Sequence, residues 1–146
     1  IDYAHTPDAL RNVLETINDI RTGNEKVITV VGCGGDRDAT KRPKMAHIAS
    51  QLSTQAIFTS DNPRSENPQT ILDEMEDGVS PENYRKTLTV LDRRQAIKTA
   101  CKLSETGDII LIAGKGHENY QEVNGVRSHF DDLEEVTNCF NQLKKN

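Results

Sequence analysis

The sequence predicts a three-layer α/β domain built around a mostly parallel sheet. Short apolar runs rich in β-branched residues alternate along the chain with segments whose apolar residues recur at helical spacing. Continuous apolar runs are typical of strands that are buried on both faces. Their alternation with helices favours right-handed crossovers and Rossmann-like winding. The length of 146 residues fits one domain.

Four apolar runs are predicted to form the parallel sheet, and one pair of short runs a hairpin. The four runs cover residues 26–31, 55–60, 87–91 and 108–113. Residues 121–123 and 126–128 flank Asn124 and Gly125, a residue pair typical of a two-residue hairpin turn. We therefore expect an antiparallel hairpin near the C-terminus, beside the parallel sheet.

Five helices are predicted from apolar periodicity and from their start signals. Thr6 precedes Pro7, which gives a capping residue followed by proline at the first helical position. The second pattern follows Pro43, the third opens at residues 67–68, and Asp92 with Gln95 forms a capping box for the fourth. The apolar faces are Leu10, Val13, Leu14 and Ile17; Met45, Ala46, Ala49 and Leu52; Ile71, Leu72 and Met75; Ala96, Ile97, Ala100 and Cys101; and Leu133, Val136, Phe140 and Leu143. Residues 77–86, rich in turn formers, are predicted to be a loop.

Composition and charge exclude several functional classes. The net charge of −5 argues against a nucleic-acid platform, because phosphate contacts need a basic face. No run is long and apolar enough to predict a membrane span. The three cysteines form no CxxC pair, which favours a reducing compartment, and the four histidines lack metal-ligand spacing. Because Ile1 begins in mid-pattern, we expect a domain excised from a longer protein.

Three loops that follow predicted strands carry unusual chemistry. The carboxyl ends of parallel strands share one rim of the sheet, where ligands bind in open α/β folds. The first loop, residues 32–42, combines three glycines with Arg37, Lys41 and Arg42, and Lys44 follows it. Exposed backbone N–H groups and clustered positive charge predict an anionic ligand, although a merely tight turn is equally compatible. The spacing matches neither GxGxxG nor a Walker A sequence.

The second loop places a carboxylate, an amide and a guanidinium on one short turn. Its residues are Asp61, Asn62, Pro63 and Arg64, directly after the second predicted strand. Pro63 fixes its own φ and restricts Asn62, so the turn is partly ordered before any ligand arrives. The planar fork of Arg64 can hold a carboxylate in a bidentate manner. A polar strand-to-helix connection would read the same way from four residues alone.

The third loop, residues 114–118, joins two glycines to a carboxylate that could hold an ammonium group, that of Glu118. His117 has no nucleophile or carboxylate paired with it in sequence, so a structural role is favoured over that of a catalytic base. Taken together, the loops supply arginines for carboxylates and an acid for an amine. This combination predicts an amino-acid ligand with charged groups at both ends.

Four ordered motifs resemble the C-terminal domain of the Mur ligases, and within that family the branch that adds meso-diaminopimelate. They are residues 2–8, 32–42, 61–64 and 114–118, so the resemblance spans almost the whole chain. In that family the Asp-Asn-Pro-Arg turn is the recognition motif for meso-diaminopimelate, and lysine-adding relatives carry a different sequence there. Thr40 departs from the glycine that many relatives have before Lys and Arg, which puts the backbone path of the first loop in question.

The resemblance implies a role for each motif. Asp61 and Pro63 would shape the turn, Asp2 looks like the family's ribose-contacting aspartate, and His5 lies where the domain approaches the ATP nucleoside. Catalytic residues and metal ligands are expected outside this domain. The residues implied to contact meso-diaminopimelate are Arg37, Asn62, Arg64, Gly114 and Glu118.

The reaction implied is ATP- and Mg²⁺-dependent amide formation in peptidoglycan precursor synthesis in the cytoplasm. meso-Diaminopimelate would be joined to UDP-N-acetylmuramoyl-L-alanyl-D-glutamate, which would be bound through the N-terminal and central ATPase domains that this chain lacks. Residues 1–146 would be the amino-acid-binding domain, inactive by itself and holding no cofactor alone. Two alternatives are a lysine-adding Mur ligase domain and a non-catalytic nucleotide-binding module of the same fold.

Overall fold

The computed structural model describes residues 1–144 and confirms the predicted α/β class. The helices and strands alternate through most of the chain, and the hairpin precedes the last helix. In chain order they are α1 (Pro7–Ile20), β1 (Val27–Cys33), α2 (Lys41–Leu52), β2 (Gln55–Ser60), α3 (Pro68–Glu76), a 3-10 helix (Pro81–Lys86), β3 (Thr87–Thr89), α4 (Arg93–Leu103), β4 (Ile109–Ala113), β5 (Tyr120–Val123), β6 (Val126–His129) and α5 (Asp132–Lys144).

The main sheet is entirely parallel and has the strand order β3-β2-β1-β4. Val30 on β1 pairs with Ile57 on β2 and with Ile112 on β4. The chain winds outward from β1 to β3 and then returns to place β4 on the other side of β1. The crevice outside the carboxyl ends of β1 and β4 is therefore a topological switch point, the usual ligand site in such sheets.

Two apolar cores flank the sheet and give the predicted three layers. Leu14 on α1 and Met45 on α2 pack with Val31 on one face, whereas Ile97 on α4 packs with Val30 on the other. Successive β1 residues point to opposite faces, so one strand serves both cores. Among residues 1–144, no helix combines the length and apolar character needed to span a bilayer.

The predicted helix caps are present. Thr6 Oγ1 accepts the Ala9 N–H at 3.2 Å, Asn67 caps α3, and Asp92 Oδ1 accepts the Gln95 N–H at 3.1 Å. Each bond satisfies an N–H group that the first turn of a helix leaves without an intrahelical partner. Helices α1, α3 and α4 therefore start where the side-chain chemistry predicts, whereas α2 begins at Lys41, ahead of Pro43, without a side-chain cap.

Two boundaries and the burial of one helix differ from the prediction. Residues 77–86 are not wholly a loop, because a 3-10 helix begins at Pro81, whose fixed φ suits a first helical position. β3 is short and ends at Thr89, at the edge of the sheet. The apolar face of α5 is only partly covered, and Leu133 is 63% exposed. Apolar periodicity thus identified α5 but overestimated its burial.

The predicted hairpin is present as a separate two-stranded sheet of β5 and β6. Its turn residues Asn124 and Gly125 have φ values of 51° and 78°, the left-handed conformation required at both positions of a type I′ turn. The hairpin is tied to the turn after β2 through an isolated bridge between Arg64 and Val123. It is therefore part of the rim at the carboxyl ends of the strands.

A fully buried ion pair connects α4 and α5, which lie on one face of the sheet, to the ends of two strands. Arg93 on α4 donates from Nε and Nη2 to the two carboxylate oxygens of Asp132 on α5, both at 2.8 Å. Its Nη groups also donate to the carbonyls of Ser60, at 3.1 Å, and Ala113, at 3.3 Å. These carbonyls belong to the last residues of β2 and β4, so one guanidinium braces two strand ends.

We predict that Asp132→Ala lowers the free energy of unfolding by about 3–5 kcal/mol, because it leaves the Arg93 guanidinium buried without its counter-charge. Urea unfolding followed by circular dichroism measures the change. Glu135→Ala is the matched control, since it removes the partner of Arg94, whose side chain is 55% exposed, and should cost at most about 1 kcal/mol. Equal losses in the two variants would contradict the role of the buried pair.

Candidate functional site

A pocket of about 530 Å³ lies at the carboxyl ends of β1, β2 and β4. A second pocket of similar volume, between α5 and β4, has walls mainly of apolar side chains, so the polar pocket is the better candidate site. Asp2 and Pro63 lie outside the lining of the polar pocket. The predicted site residues that line it are His5, Arg37, Asp61, Asn62, Arg64, Gly114 and Glu118.

The hairpin holds the Asp-Asn-Pro-Arg turn in a strained conformation. Arg64 has a φ of 52°, a left-handed conformation that is costly for a residue with a Cβ. Its N–H donates to the Glu122 carbonyl at 3.0 Å, and its own carbonyl accepts the Asn124 N–H at 2.8 Å. The sequence predicted a hairpin beside the sheet without a role in the site. These hydrogen bonds show that it supports the predicted recognition turn.

The Arg64 guanidinium spans from the turn to the first loop. Nη1 donates to the Gly35 carbonyl at 3.0 Å, and Nε lies 3.9 Å from a Glu122 carboxylate oxygen. Within residues 1–144, Nη2 has no hydrogen-bond partner, and the side chain is 19% exposed at the pocket. The guanidinium is thus held in place with donors left for a ligand carboxylate.

The backbone of Pro63 packs directly against the first loop. The proline is buried, and Gly35 packs so closely on its carbonyl that a Cβ on Gly35 would collide with it. The Gly35 N–H donates to the Asn62 carbonyl at 2.8 Å. The glycine is therefore required for close approach of the first loop to the backbone of the turn.

Lys115 is a buried cation at the centre of the site, and sequence reasoning gave it no role. Its Nζ donates to Asn62 Oδ1 at 2.8 Å and to the Tyr120 carbonyl at 2.9 Å. Asp61 Oδ1 lies 3.0 Å from the same nitrogen, at an angle that makes an ion pair without a hydrogen bond. Glu118 is 4.0 Å away. The lysine connects the turn after β2, the loop after β4 and the start of the hairpin.

The backbone on either side explains why this lysine is hidden. Gly114 and Gly116 have φ values of 115° and 57°, which lie in the region that favours glycine. A turn closed by the Glu118 N–H on the Lys115 carbonyl at 3.0 Å follows Gly114, and the Lys115 side chain lies fully buried. A lysine between two glycines after a buried strand is the available sequence signal, but its partners are distant in sequence.

Glu118 supplies the negative charge of the pocket. Its Oε2 accepts a long hydrogen bond of 3.4 Å from the Tyr3 hydroxyl, and the carboxylate is 24% exposed. The charge of Glu118 raises the pKa of Tyr3, so the hydroxyl stays protonated and able to donate. Arg37 is exposed on the opposite loop and donates to the Asp36 carbonyl. The pocket therefore offers both signs of charge to a zwitterion.

Part of the positive charge predicted for the first loop is neutralised by acidic side chains of the protein itself. Arg42 is buried and forms ion pairs with Glu66 at 2.6 Å and Glu74 at 2.7 Å. Hydrogen bonding to Glu66 raises the pKa of Arg42, and the same contact lowers the pKa of Glu66. Lys44 is exposed outside the pocket, whereas Lys41 lines it. Arg37 and Lys41 therefore remain for an anionic ligand.

The N-terminal segment forms one side of the site. The Asp2 backbone pairs with the outer edge of β4, where its N–H donates to the Ile112 carbonyl at 3.0 Å. His5 lines the pocket, and its ring packs 4.7 Å from that of Tyr3. His117 is exposed and does not line the pocket. The nucleotide-contacting roles of Asp2 and His5 stay predictions.

The pocket contains a thiol that is poorly suited to nucleophilic chemistry. Burial, with a smaller contribution from the Asp61 charge, raises the pKa of Cys33 to about 12, so the thiol is protonated at neutral pH. Cys33, Cys101 and Cys139 are all free. Within the described 1–144 range, no group of three or more metal-ligating side chains is placed to hold a metal ion.

Known relatives share both sequence and fold with this chain. The UDP-N-acetylmuramoyl-L-alanyl-D-glutamate–2,6-diaminopimelate ligase of Cytophaga hutchinsonii is 64% identical over 132 residues, which cover 90% of this chain and 27% of that protein. The ligase of the same name from Bacteroides thetaiotaomicron is 57% identical over 141 residues, covering 97% of this chain and 29% of that protein. A solved structure of a ligase with this name matches at 47% identity and a TM-score of 0.90, over 97% of this chain and 28% of the other.

The chain therefore spans somewhat more than a quarter of the length of these relatives. A structure of E. coli FolC in complex with ADP matches at 14% identity with a TM-score of 0.59, a likeness of fold alone. The sequence model of the family described as "Mur ligase, glutamate ligase domain" matches residues 1–116, which include the main sheet and the first two pocket loops. This chain belongs to that family, the glutamate ligase domain of the Mur ligases.

Proposed function

We propose that this chain is the amino-acid-recognising domain of an ATP-dependent ligase that adds meso-diaminopimelate to UDP-N-acetylmuramoyl-L-alanyl-D-glutamate. The observation that carries the proposal is the pairing of Arg64 and Glu118 in one pocket. The names of relatives at 54–64% identity support the same reaction. Residues 1–146 form the C-terminal domain of the longer enzyme in this proposal.

The charges of the pocket match those of the amino acid. meso-Diaminopimelate has an ammonium and a carboxylate at each end, whereas lysine has only an ammonium at its distal end. Arg64 and Arg37 bind carboxylate, Asn62 adds a hydrogen bond, and Glu118 binds an ammonium group. Asp61 and Pro63 shape the turn, and Gly114 lets the loop after β4 approach the ligand closely.

A lysine-adding ligase is disfavoured by the same charges. The distal ammonium of lysine would meet the Arg64 guanidinium, and this repulsion is not relieved by solvent, because Arg64 is only 19% exposed. A pocket for lysine needs a neutral or acidic group at this position. Arg64 therefore selects the substrate both by attracting one ligand and by repelling its competitor.

The contribution of this domain to the reaction is positioning. ATP, with Mg²⁺, supplies the phosphoryl group that activates the D-glutamate side-chain carboxylate, and both are held mainly by domains outside this chain. Residues of this chain orient the diaminopimelate amine toward the activated carbonyl carbon, which lowers the entropy lost at the transition state. Asp2 and His5 face the nucleotide in the closed cytoplasmic enzyme, and closure excludes water from the activated group.

We expect the full-length enzyme to ligate meso-diaminopimelate and to discriminate strongly against lysine. The assay measures ADP release that depends on the added amino acid, in the presence of UDP-N-acetylmuramoyl-L-alanyl-D-glutamate. The 146-residue chain alone should show no turnover, because positioning groups without an activated carboxylate cannot form the amide. Preference for lysine, or turnover with neither amino acid, would overturn the proposed function.

We predict that Arg64→Ala in the full-length enzyme raises the KM for meso-diaminopimelate by about 10- to 100-fold, the loss expected for a charge-assisted contact. The KM for ATP should change little, because Arg64 contacts only the amino acid in this proposal. Arg85→Ala is the matched control, since Arg85 is exposed on the 3-10 helix and lies outside the pocket. Equal changes in both KM values would count against the assigned role.

A further inference from the structure

We propose that Lys115 is a positioning residue that makes the Asn62 side chain a hydrogen-bond donor toward a carboxylate of the bound amino acid. The inference rests on the proposed function, since it concerns the same pocket. It assigns to Lys115 a part in substrate selection, although Lys115 does not itself line the pocket. The juxtaposition that carries it is a buried ammonium 2.8 Å from the Asn62 amide oxygen.

The partners of Asn62 determine the orientation of its amide. Oδ1 accepts from Lys115 Nζ at 2.8 Å and from the Glu122 N–H at 3.0 Å. An ammonium and a backbone N–H can only donate, so the atom between them must be the oxygen. The usual ambiguity between amide oxygen and nitrogen is removed by this network.

Nδ2 of Asn62 is then directed away from both donors. Within residues 1–144 it has no hydrogen-bond partner, and it is not among the buried polar atoms that lack one. Because Asn62 lines the pocket, this N–H₂ group is an available donor at the pocket wall. It lies on the same short turn as Arg64, so the turn presents two neighbouring side-chain donors to the pocket.

Lys115 is fixed strongly enough to impose this orientation. The side chain is fully buried, and its ammonium contacts Asn62 Oδ1, the Tyr120 carbonyl and the Asp61 carboxylate within 3.0 Å. A buried ammonium needs these contacts, since an unpaired charge in the interior is very costly. Rotation of the Asn62 amide would turn an N–H₂ group toward this cation and would lose the hydrogen bond.

The fixed amide contributes to discrimination between amino acids. An asparagine free to rotate could present its oxygen to the distal ammonium of lysine as readily as its nitrogen to a carboxylate. Lys115 and the Glu122 N–H prevent that exchange. The Asn62 side chain therefore presents its N–H₂ group, which favours a ligand carboxylate over an ammonium. Lys115 thus acts on specificity through Asn62, and Arg64 acts on the ligand directly.

The first test is Asn62→Asp in the full-length enzyme. The substitution keeps the acceptor oxygen beside Lys115 and replaces the donor nitrogen with a second oxygen, so the fold keeps its contacts. We expect the KM for meso-diaminopimelate to rise by at least about 10-fold, through loss of a hydrogen bond and repulsion between carboxylates, with an unchanged KM for ATP. An unchanged or lower KM for meso-diaminopimelate would overturn the inference.

The second test is Lys115→Met, combined with Asn62→Ala in a double-mutant cycle. Lys115→Met should raise the KM for meso-diaminopimelate by about 10-fold and leave that for ATP unchanged. In the Lys115→Met background, Asn62→Ala should have a smaller effect than in the wild type, because the amide is no longer oriented. Fully additive effects would contradict action through Asn62. Lys26→Met, at the opposite end of β1, is the control and should leave both KM values unchanged.

The controls separate this inference from the proposed function. If the wild-type enzyme does not use meso-diaminopimelate, the proposed function fails before any variant is compared. If the wild type prefers meso-diaminopimelate to lysine but Asn62→Asp retains the wild-type KM, only the role of Lys115 and Asn62 fails. Should Lys115→Met not fold, Asn62→Asp still overturns the inference if it retains the wild-type KM, since it keeps the partner of the buried lysine.

Discussion

The geometry of the site depends on one buried guanidinium behind the sheet. Arg93 is fixed by Asp132 and donates to the carbonyls of Ser60 and Ala113. The next residues along the chain are Asp61 and Gly114, where the second and third site loops begin. Since β1 lies between β2 and β4, no direct strand pairing connects these two loops. The hydrogen bonds of Arg93 connect the two loops and fix the distance between their first residues.

Lys115 makes a similar non-covalent connection between the loops on the pocket side. Its ammonium joins the loop after β4 to Asn62 and to the first residue of the hairpin, Tyr120. The hairpin in turn holds Arg64 in its left-handed conformation through backbone hydrogen bonds. In the proposed function, a turn that is held from both sides is preorganised for its ligand, so less binding energy is spent on ordering it. Strain at Arg64 is stable only because the surrounding contacts determine it.

Local sequence signals were sufficient for most of the fold. The strand at Gln55–Ser60, the cap at Thr6 and the two-residue hairpin turn at Asn124 each depend on residues within a few positions, and each was predicted. The meeting of the three site loops was predicted because the carboxyl ends of parallel strands lie at the same edge of a sheet. The burial of α5 was overestimated because apolar spacing cannot indicate what covers a helix, and Leu133 remains largely exposed.

The roles of the positive charges could not be read from the sequence, because the distinction depends on distant acidic partners. Arg42 is neutralised by Glu66 and Glu74, across 24 and 32 residues, and thereby differs from Arg64, which keeps donors for a ligand. The number of basic residues near the loops therefore overstates the positive charge that a ligand meets. The donors that remain in the pocket are set by buried ion pairs, such as those of Arg42, that lie outside its lining. The charge that the pocket offers is consequently a property of the packed interior as much as of the exposed motif.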